Sequence, residues 1–192
     1  MRRVVLTVVA MALLAGPAFA QTSDGGPLSA SLKRMWDGMK RNVSESADKM
    51  PADGYGFRPV GVAEEVRTFG QFLAHIGASQ MSYCGRGMGD RTPEQMKEDQ
   101  KRWGDLEKSG TKDAIVKALA ESIAYCDAVY GSMTDAKLTE MIAAGQTQVP
   151  RAQPLIQNIS HDNEHYGNLV TYFRAKGMVP PSTERAQQMR RQ

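Results

Sequence analysis

The sequence predicts an all-α protein, a helical bundle built from four long amphipathic helices. Two observations favour this fold class. Apolar residues recur every three or four positions through four long segments, and we find no segment that alternates with the two-residue period of a half-buried strand. At least one connection between these segments is long, which is typical of bundles that contain a crossover.

The first amphipathic segment begins at Leu28 and continues to Met50, where Pro51 and the glycines that follow break the pattern. The second follows Phe57-Arg58-Pro59, and its helical spacing predicts an apolar face with an adjoining stripe. That face contains Val62, Val66, Phe69, Leu73 and Ile76, and the stripe contains Phe72 and His75. We expect this helix to end near Gly85-Arg86-Gly87, because glycine favours a left-handed turn at the end of a helix.

Residues 88–110 are rich in charged residues and contain several glycines. They predict a solvated crossover connection with a short helix from Pro93 to Trp103, and a lid over a functional site is the alternative. Thr111 can cap a third long helix with an apolar stripe from Val116 to Met133. Thr134 can cap a short helical segment over 138–144, which Gly145 would close.

The fourth long helix is predicted from about Arg151 to Lys176 and ends at Gly177. The last dozen residues are charged and polar, and we expect them to form a mobile tail. The predicted ordered core therefore runs over about 28–178, with a tail over 179–192.

The first twenty residues predict a secretory signal peptide. A basic start is followed by a short apolar run, and Ala18-Phe19-Ala20 has the form of a cleavage site. Residues 21–192 would then form a single exported domain, periplasmic if the source is a Gram-negative bacterium. No later stretch is apolar enough to predict a membrane span in the mature protein.

The charge balance argues against nucleic acid as a partner. Removal of Arg2 and Arg3 from the 24 basic residues leaves 22, against 21 acidic residues, a net charge of +1. The two cysteines, Cys84 and Cys126, leave two interpretations open. They can pair in an oxidising compartment, or each can be an ordinary buried residue of a helix.

The histidines are the chemically most informative residues. The chain has three of them, and His161 and His165 are spaced so that they lie on one helical face. If a neighbouring helix brings His75 to this face, three imidazoles can bind a divalent metal ion. Polar residues border the stripe and could orient such ligands: Asn158, Asp162, Asn168 and Tyr172. The alternative is a surface pair and one core histidine.

The same helix also contains the inverzincin motif, His161-x-x-Glu164-His165. That motif needs a further carboxylate ligand well downstream, and Glu184 is the one acid after His165. Glu164 and Asp162 are predicted to project off the ligand face, as exposed acids or as hydrogen-bond acceptors for the ligands. The sequence therefore disfavours a peptidase and assigns no catalytic residue.

Two stretches resemble the DinB-like family. They are Arg67-Thr-Phe-Gly-Gln-Phe-Leu-Ala-His75, preceded by Phe57-Arg58-Pro59, and the late run that begins His161-Asp-Asn-Glu-His165-Tyr-Gly-Asn-Leu. The resemblance implies a four-helix bundle with up-down-down-up connectivity, a homodimer, and a divalent metal, commonly nickel or zinc. The positions that match the family's ligands are His75, His161 and His165.

Known activities in the superfamily mostly use a metal to orient a small thiol. The resemblance therefore implies a metal-dependent enzyme, a hydrolase or a group transferase such as a thiol transferase, acting on a small molecule that the sequence does not identify. Export from the cytosol argues against the usual thiol cofactors. The alternative is a non-catalytic metal-binding protein in stress response or interaction.

Overall fold

The computed structural model describes residues 25–192, so the predicted signal peptide over residues 1–20 lies outside the described residues. Within this range the chain forms seven α-helices, one short 3-10 helix over Ala52–Gly54 and one β-hairpin. The elements are α1 (Pro27–Lys49), α2 (Phe69–Met88), α3 (Pro93–Ser109), α4 (Lys112–Gly131), α5 (Asp135–Thr139), β1 (Met141–Ala144), β2 (Thr147–Pro150), α6 (Ala152–Ala175) and α7 (Pro181–Met189). Across residues 25–192, no helix combines the length and the apolar character that a bilayer span requires.

The four long helices α1, α2, α4 and α6 form the bundle. α2 packs against both α4 and α6, and α1 closes the bundle against the same two helices. α2 and α4 run parallel, since Cys84 and Cys126 meet near their C-terminal ends, and α3 is the crossover that makes this possible. The predicted all-α fold with up-down-down-up connectivity is confirmed.

Aromatic residues hold the two ends of the core. Trp36 of α1 stacks on Tyr130 of α4, with ring centroids 5.0 Å apart. At the other end Phe69 of α2 meets Phe173 of α6 edge to face, at 5.4 Å. Such pairs combine apolar burial with a preferred ring geometry, and here they tie α1 to α4 and α2 to α6.

The two cysteines form a disulfide between α2 and α4, with Cα atoms 5.5 Å apart and a sequence separation of 42 residues. Both side chains are fully buried. The sequence left open whether the cysteines pair or stay single, and in the structure they are paired.

α2 begins later than the apolar periodicity predicts. Thr68 accepts a hydrogen bond from the backbone N–H of Gln71, and the Gln71 side chain accepts one from the N–H of Thr68. This capping box starts the helix at Phe69, so Val62 and Val66 lie before it. α2 extends to Met88, slightly beyond the predicted glycines, and ends at Gly89 with a φ of 78°.

The predicted helix over 138–144 was wrong, and so was the expectation that the chain has no strands. Thr134 caps α5 as predicted, but α5 ends at Thr139 and the chain continues into β1 and β2. β1 and β2 pair antiparallel around Gly145, whose φ is 63°. A glycine that adopts this conformation readily makes the two-residue turn.

The crossover and the C-terminus are more ordered than predicted. α3 continues to Ser109 and buries Trp103 against α2. The predicted mobile tail was wrong for residues 181–189, which form α7. Arg185 of α7 bonds to Glu45 and Asn42 of α1, and Glu184 pairs with Lys49.

Candidate metal centre

The three histidines lie together where α2 crosses α6. His75 is on α2, and His161 and His165 occupy successive turns of α6, so the antiparallel packing brings all three rings to one place. The Nε2 atom of His161 lies 3.1 Å from the Nε2 of His75 and 3.1 Å from the Nε2 of His165. Each ring is partly buried, and one potential ligand atom from each lies within 4.8 Å of the others.

This geometry fits a metal ion better than it fits hydrogen bonds among the rings. A single imidazole nitrogen carries either one proton or one lone pair, yet His161 Nε2 faces two other ring nitrogens at 3.1 Å. Two nitrogens bound tetrahedrally to one zinc ion at about 2.0–2.1 Å lie about 3.3–3.4 Å apart. The observed spacing is close to that value, so the cluster could hold a metal ion.

The protein keeps two of these histidines neutral. Burial, with smaller contributions from Arg67 and the neighbouring histidines, lowers the pKa of His75 to about 4. Burial likewise lowers the pKa of His165, aided by the charge interaction with His161. Because a neutral imidazole is the form that ligates metal, both residues are in the binding form at pH 7.

Polar and aromatic side chains surround the rings. The Ser79 hydroxyl lies 3.3 Å from His161 Nε2, and the Asn168 amide lies 3.3 Å from Nδ1 of His165. The ring of Phe72 packs 5.4 Å from that of His165, and the ring of Tyr83 packs 5.7 Å from that of His161. Asn168 is therefore placed to orient a ligand through its second nitrogen.

Behind His161 lies a buried polar network that crosses three helices. Gln80 of α2 donates to Oδ2 of Asp162 at 2.8 Å and accepts a hydrogen bond from Ser122 of α4 at 2.8 Å. The other oxygen of Asp162, Oδ1, has no hydrogen-bond partner and lies 3.6 Å from Nδ1 of His161, which also has none. Burial raises the pKa of the Asp162 carboxyl, and the nearby His161 ring and the hydrogen bond from Gln80 oppose this shift.

The other predicted polar residues have different positions. Asn158 is buried and donates to the hydroxyl of Tyr130. Tyr172 donates to the backbone oxygen of Arg67, and so ties the segment before α2 to α6. Glu164 is exposed on α6. Of the four residues that bordered the predicted stripe, Asp162 and Asn168 therefore lie beside the ligand rings.

A cavity of about 370 Å³ opens next to the cluster, between α2 and α3. His75 and Ser79 of α2 line one side of it, and Trp103 of α3 lines the other. Neither Ser79 nor Gln80 was predicted from the sequence to be part of the site. Ser79 follows His75 by four residues, and this spacing on a helix was the available signal. Gln80 had no such signal, because its role depends on packing against α4 and α6.

The fold and the site together define a class of protein, the helical bundles that carry a three-histidine cluster between two antiparallel helices. A family model described as the DinB superfamily matches residues 35–169. The chain belongs to the DinB superfamily. The family prediction is confirmed, and the export of this member stays a prediction.

Solved structures of similar fold support this assignment. A DinB-like protein from Bacillus cereus is 18% identical with a TM-score of 0.61, over 79% of this chain and 95% of that one. A DinB-like protein from Bacillus subtilis is 18% identical with a TM-score of 0.59, over 78% and 93%. No curated protein matched the sequence.

A third similar structure is described as a mycothiol-dependent maleylpyruvate isomerase. It is 16% identical with a TM-score of 0.56, and the match covers 75% of this chain and 61% of that chain. The present chain therefore spans less than two thirds of the isomerase. At this identity the likeness shows the shared fold.

Proposed function

We propose that this protein is an exported, metal-dependent enzyme, a hydrolase or group transferase that acts on a small molecule. His75, His161 and His165 would hold one divalent ion, with nickel and zinc as the proposed metals. The observation that carries the proposal is the convergence of three imidazole nitrogens, with His161 Nε2 at 3.1 Å from each of the other two.

Three neutral ligands suit catalysis because they leave the charge of the ion uncompensated and its coordination sphere incomplete. A bound divalent ion would polarise a substrate carbonyl or lower the pKa of water or of a thiol. The protein's own groups would position the substrate. The Ser79 hydroxyl, 3.3 Å from His161 Nε2, can donate to an acceptor atom beside the ion, and the rings of Phe72 and Tyr83 pack against those of His165 and His161.

Group transfer includes thiol transfer, because one protein of similar fold is described as a mycothiol-dependent isomerase. Export argues for hydrolysis instead, since small thiol cofactors are scarce outside the cytosol. The buried Cys84–Cys126 disulfide supports export, because such links persist mainly in oxidising compartments. We also propose that the protein forms a homodimer and, if its source is a Gram-negative bacterium, that it is periplasmic.

A non-catalytic metal-binding protein, serving stress response or interaction, is the second candidate. The position of the neighbouring acids favours it. Asp162 is fully buried and bonded to Gln80, and Glu164 is exposed on α6. Neither is shown in contact with the open side of the cluster, where a general base would act.

The two candidates are separated by an activity screen of metal-free protein and of protein reloaded with zinc or nickel. Substrates would include activated esters, amides and thiol acceptors. The enzyme proposal predicts turnover by the loaded protein and none by His161→Ala, whereas Gln157→Ala, an exposed change one turn earlier on α6, should retain it. Stoichiometric metal binding without turnover on any substrate class would favour the second candidate.

A further inference from the structure

The cavity between α2 and α3 is continuous with the candidate metal centre. His75 and Ser79 line it, and the Ser79 hydroxyl is 3.3 Å from Nε2 of His161. A molecule that entered the cavity would therefore lie against His75, whose Nε2 atom is 3.1 Å from Nε2 of His161. The volume of about 370 Å³ is within the range of small-molecule sites, roughly 300–1,000 Å³.

The outer part of the cavity has an apolar wall. Met81 of α2 and Met96 and Trp103 of α3 face each other across it. Methionine adapts its shape to a ligand, and the buried Trp103 supports the wall from behind. These three residues can remove an apolar group of a ligand from water.

The charges near the cavity are already paired. Asp99, which lines the cavity, forms an ion pair with Arg91. Arg67, whose charge acts on His75, bonds to Glu107 of α3 at 2.7 Å. A charged group in the cavity would have to compete with these pairs, so the lining favours an uncharged one.

The wall is preformed. Trp103 is 3% exposed and lies directly on Gly77 of α2, where a Cβ atom would overlap the indole ring. This close approach holds α3 against α2, and a rigid wall lowers the entropic cost of binding.

We propose that this cavity is the specificity pocket of the metal centre, which takes the uncharged apolar part of a small molecule whose donor group reaches the metal. The inference rests on the proposed metal site and adds the substrate class: a neutral compound with one metal-binding group and an apolar group next to it.

Two hydroxamates test the pocket on protein loaded with cobalt(II), whose visible absorption reports new ligands. Acetohydroxamate and benzohydroxamate share the metal-binding group and differ in the apolar part. We expect benzohydroxamate to bind at least about tenfold more tightly, because the phenyl ring would be buried against Met81 and Met96. Equal affinities for the two compounds, or no spectral change with either, would overturn the proposed pocket.

Variants that fill the cavity test whether the preference for benzohydroxamate over acetohydroxamate arises there. Ser82 and Met96 are exposed residues that line the cavity, so Ser82→Trp and Met96→Trp should reduce the preference to about twofold. The cobalt spectrum recorded before a hydroxamate is added shows whether each variant still holds the metal. Met35→Trp, an exposed change on α1, is the matched control and should keep the preference. Persistence of the preference in both filled variants would contradict the inference. Failure of the wild-type protein to bind cobalt would instead overturn the proposed metal site.

Discussion

The Nε2 atom of His161 lies 3.1 Å from the Nε2 atoms of both His75 and His165, so its ring is the centre of the cluster. Replacement by alanine, His161→Ala, should abolish tight zinc or nickel binding, measured by calorimetric titration. The bundle should remain folded by circular dichroism, because the side chain lies outside the apolar core clusters and keeps 17% exposure. Gln157→Ala serves as the control. Metal affinity equal to the wild type in His161→Ala would contradict the assignment.

Asp162 is the residue placed to orient His161. Its free oxygen, Oδ1, lies 3.6 Å from the unpartnered Nδ1 of His161, and a small shift would make a hydrogen bond between them. Loss of such an outer partner commonly weakens metal binding by about 10–100-fold. We expect Asp162→Asn to show this loss.

Glu164→Gln is the matched control for Asp162→Asn. It removes the same charge from an exposed position on the same helix, and it should change metal affinity by less than Asp162→Asn does. Equal losses in the two variants would mean that the charge acts at long range and that Asp162 does not orient the ring.

The packing of α3 on α2 depends on one small residue. Gly77→Ala should destabilise the protein by about 1–3 kcal/mol, because the new methyl group must displace the Trp103 ring. Gly167→Ala is the control on α6, where nothing lies within 4 Å of the added atom. It should stabilise by roughly 0.5–1 kcal/mol, since alanine favours the helix. Urea unfolding measures both, and a neutral Gly77→Ala would contradict the packing of Trp103.

The start of α1 is held by a residue far along the chain. Asp135 of α5 accepts hydrogen bonds from the backbone N–H groups of Ser29 and Leu28, at 2.7 and 3.3 Å. These bonds lower the pKa of its carboxyl below the usual value of 3.8. The stabilisation is therefore complete above pH 3.8 and is lost as the pH falls through the lower folded-state value.

Asp135→Asn should lower the thermal unfolding temperature at pH 7, because an amide accepts these bonds more weakly and carries no charge at the helix N-terminus. The difference from the wild type should shrink as the pH falls below 3.8. A difference that is constant from pH 7 to pH 3 would exclude a role for the carboxylate charge.

The sequence predicted the long helices well, because each carries enough apolar positions for the 3.6-residue period to be read. It also placed His161 and His165 on one face, since that spacing depends on one helix alone. The approach of His75 could not be derived from spacing, because it depends on the packing of α2 against α6. The expectation that His75 joins His161 and His165 came from the family resemblance.

The errors occur where local signals compete with periodicity. Val62 and Val66 continue the apolar period of α2, yet the capping box of Thr68 and Gln71 begins the helix after them. The hairpin strands have four residues each, too few for alternation to be distinguished from a short helix. The order of α7 comes from its bonds to Glu45 and Asn42 of α1, which the tail sequence alone does not reveal.

At the scale of the whole molecule, the disulfide links the two parallel helices of the bundle. Closing a loop of 42 residues should stabilise the fold by about 4 kcal/mol in the chain-entropy model. Denaturant unfolding with and without a reductant should show this difference, and the Cys84→Ala/Cys126→Ala double variant should be insensitive to reductant. Equal stability of the oxidised and reduced wild type would contradict a structural role for the link.

α2 and α6 bring three imidazoles together, and we propose that they bind one divalent ion. The most direct measurement is anomalous X-ray diffraction from crystals of untagged protein loaded with zinc or nickel. We predict one ion per chain, bound to Nε2 of His75, His161 and His165 at about 2.0–2.1 Å, with at least one coordination position open toward the cavity. A loaded crystal with no anomalous peak among these residues, or with the ion bound elsewhere, would contradict the account.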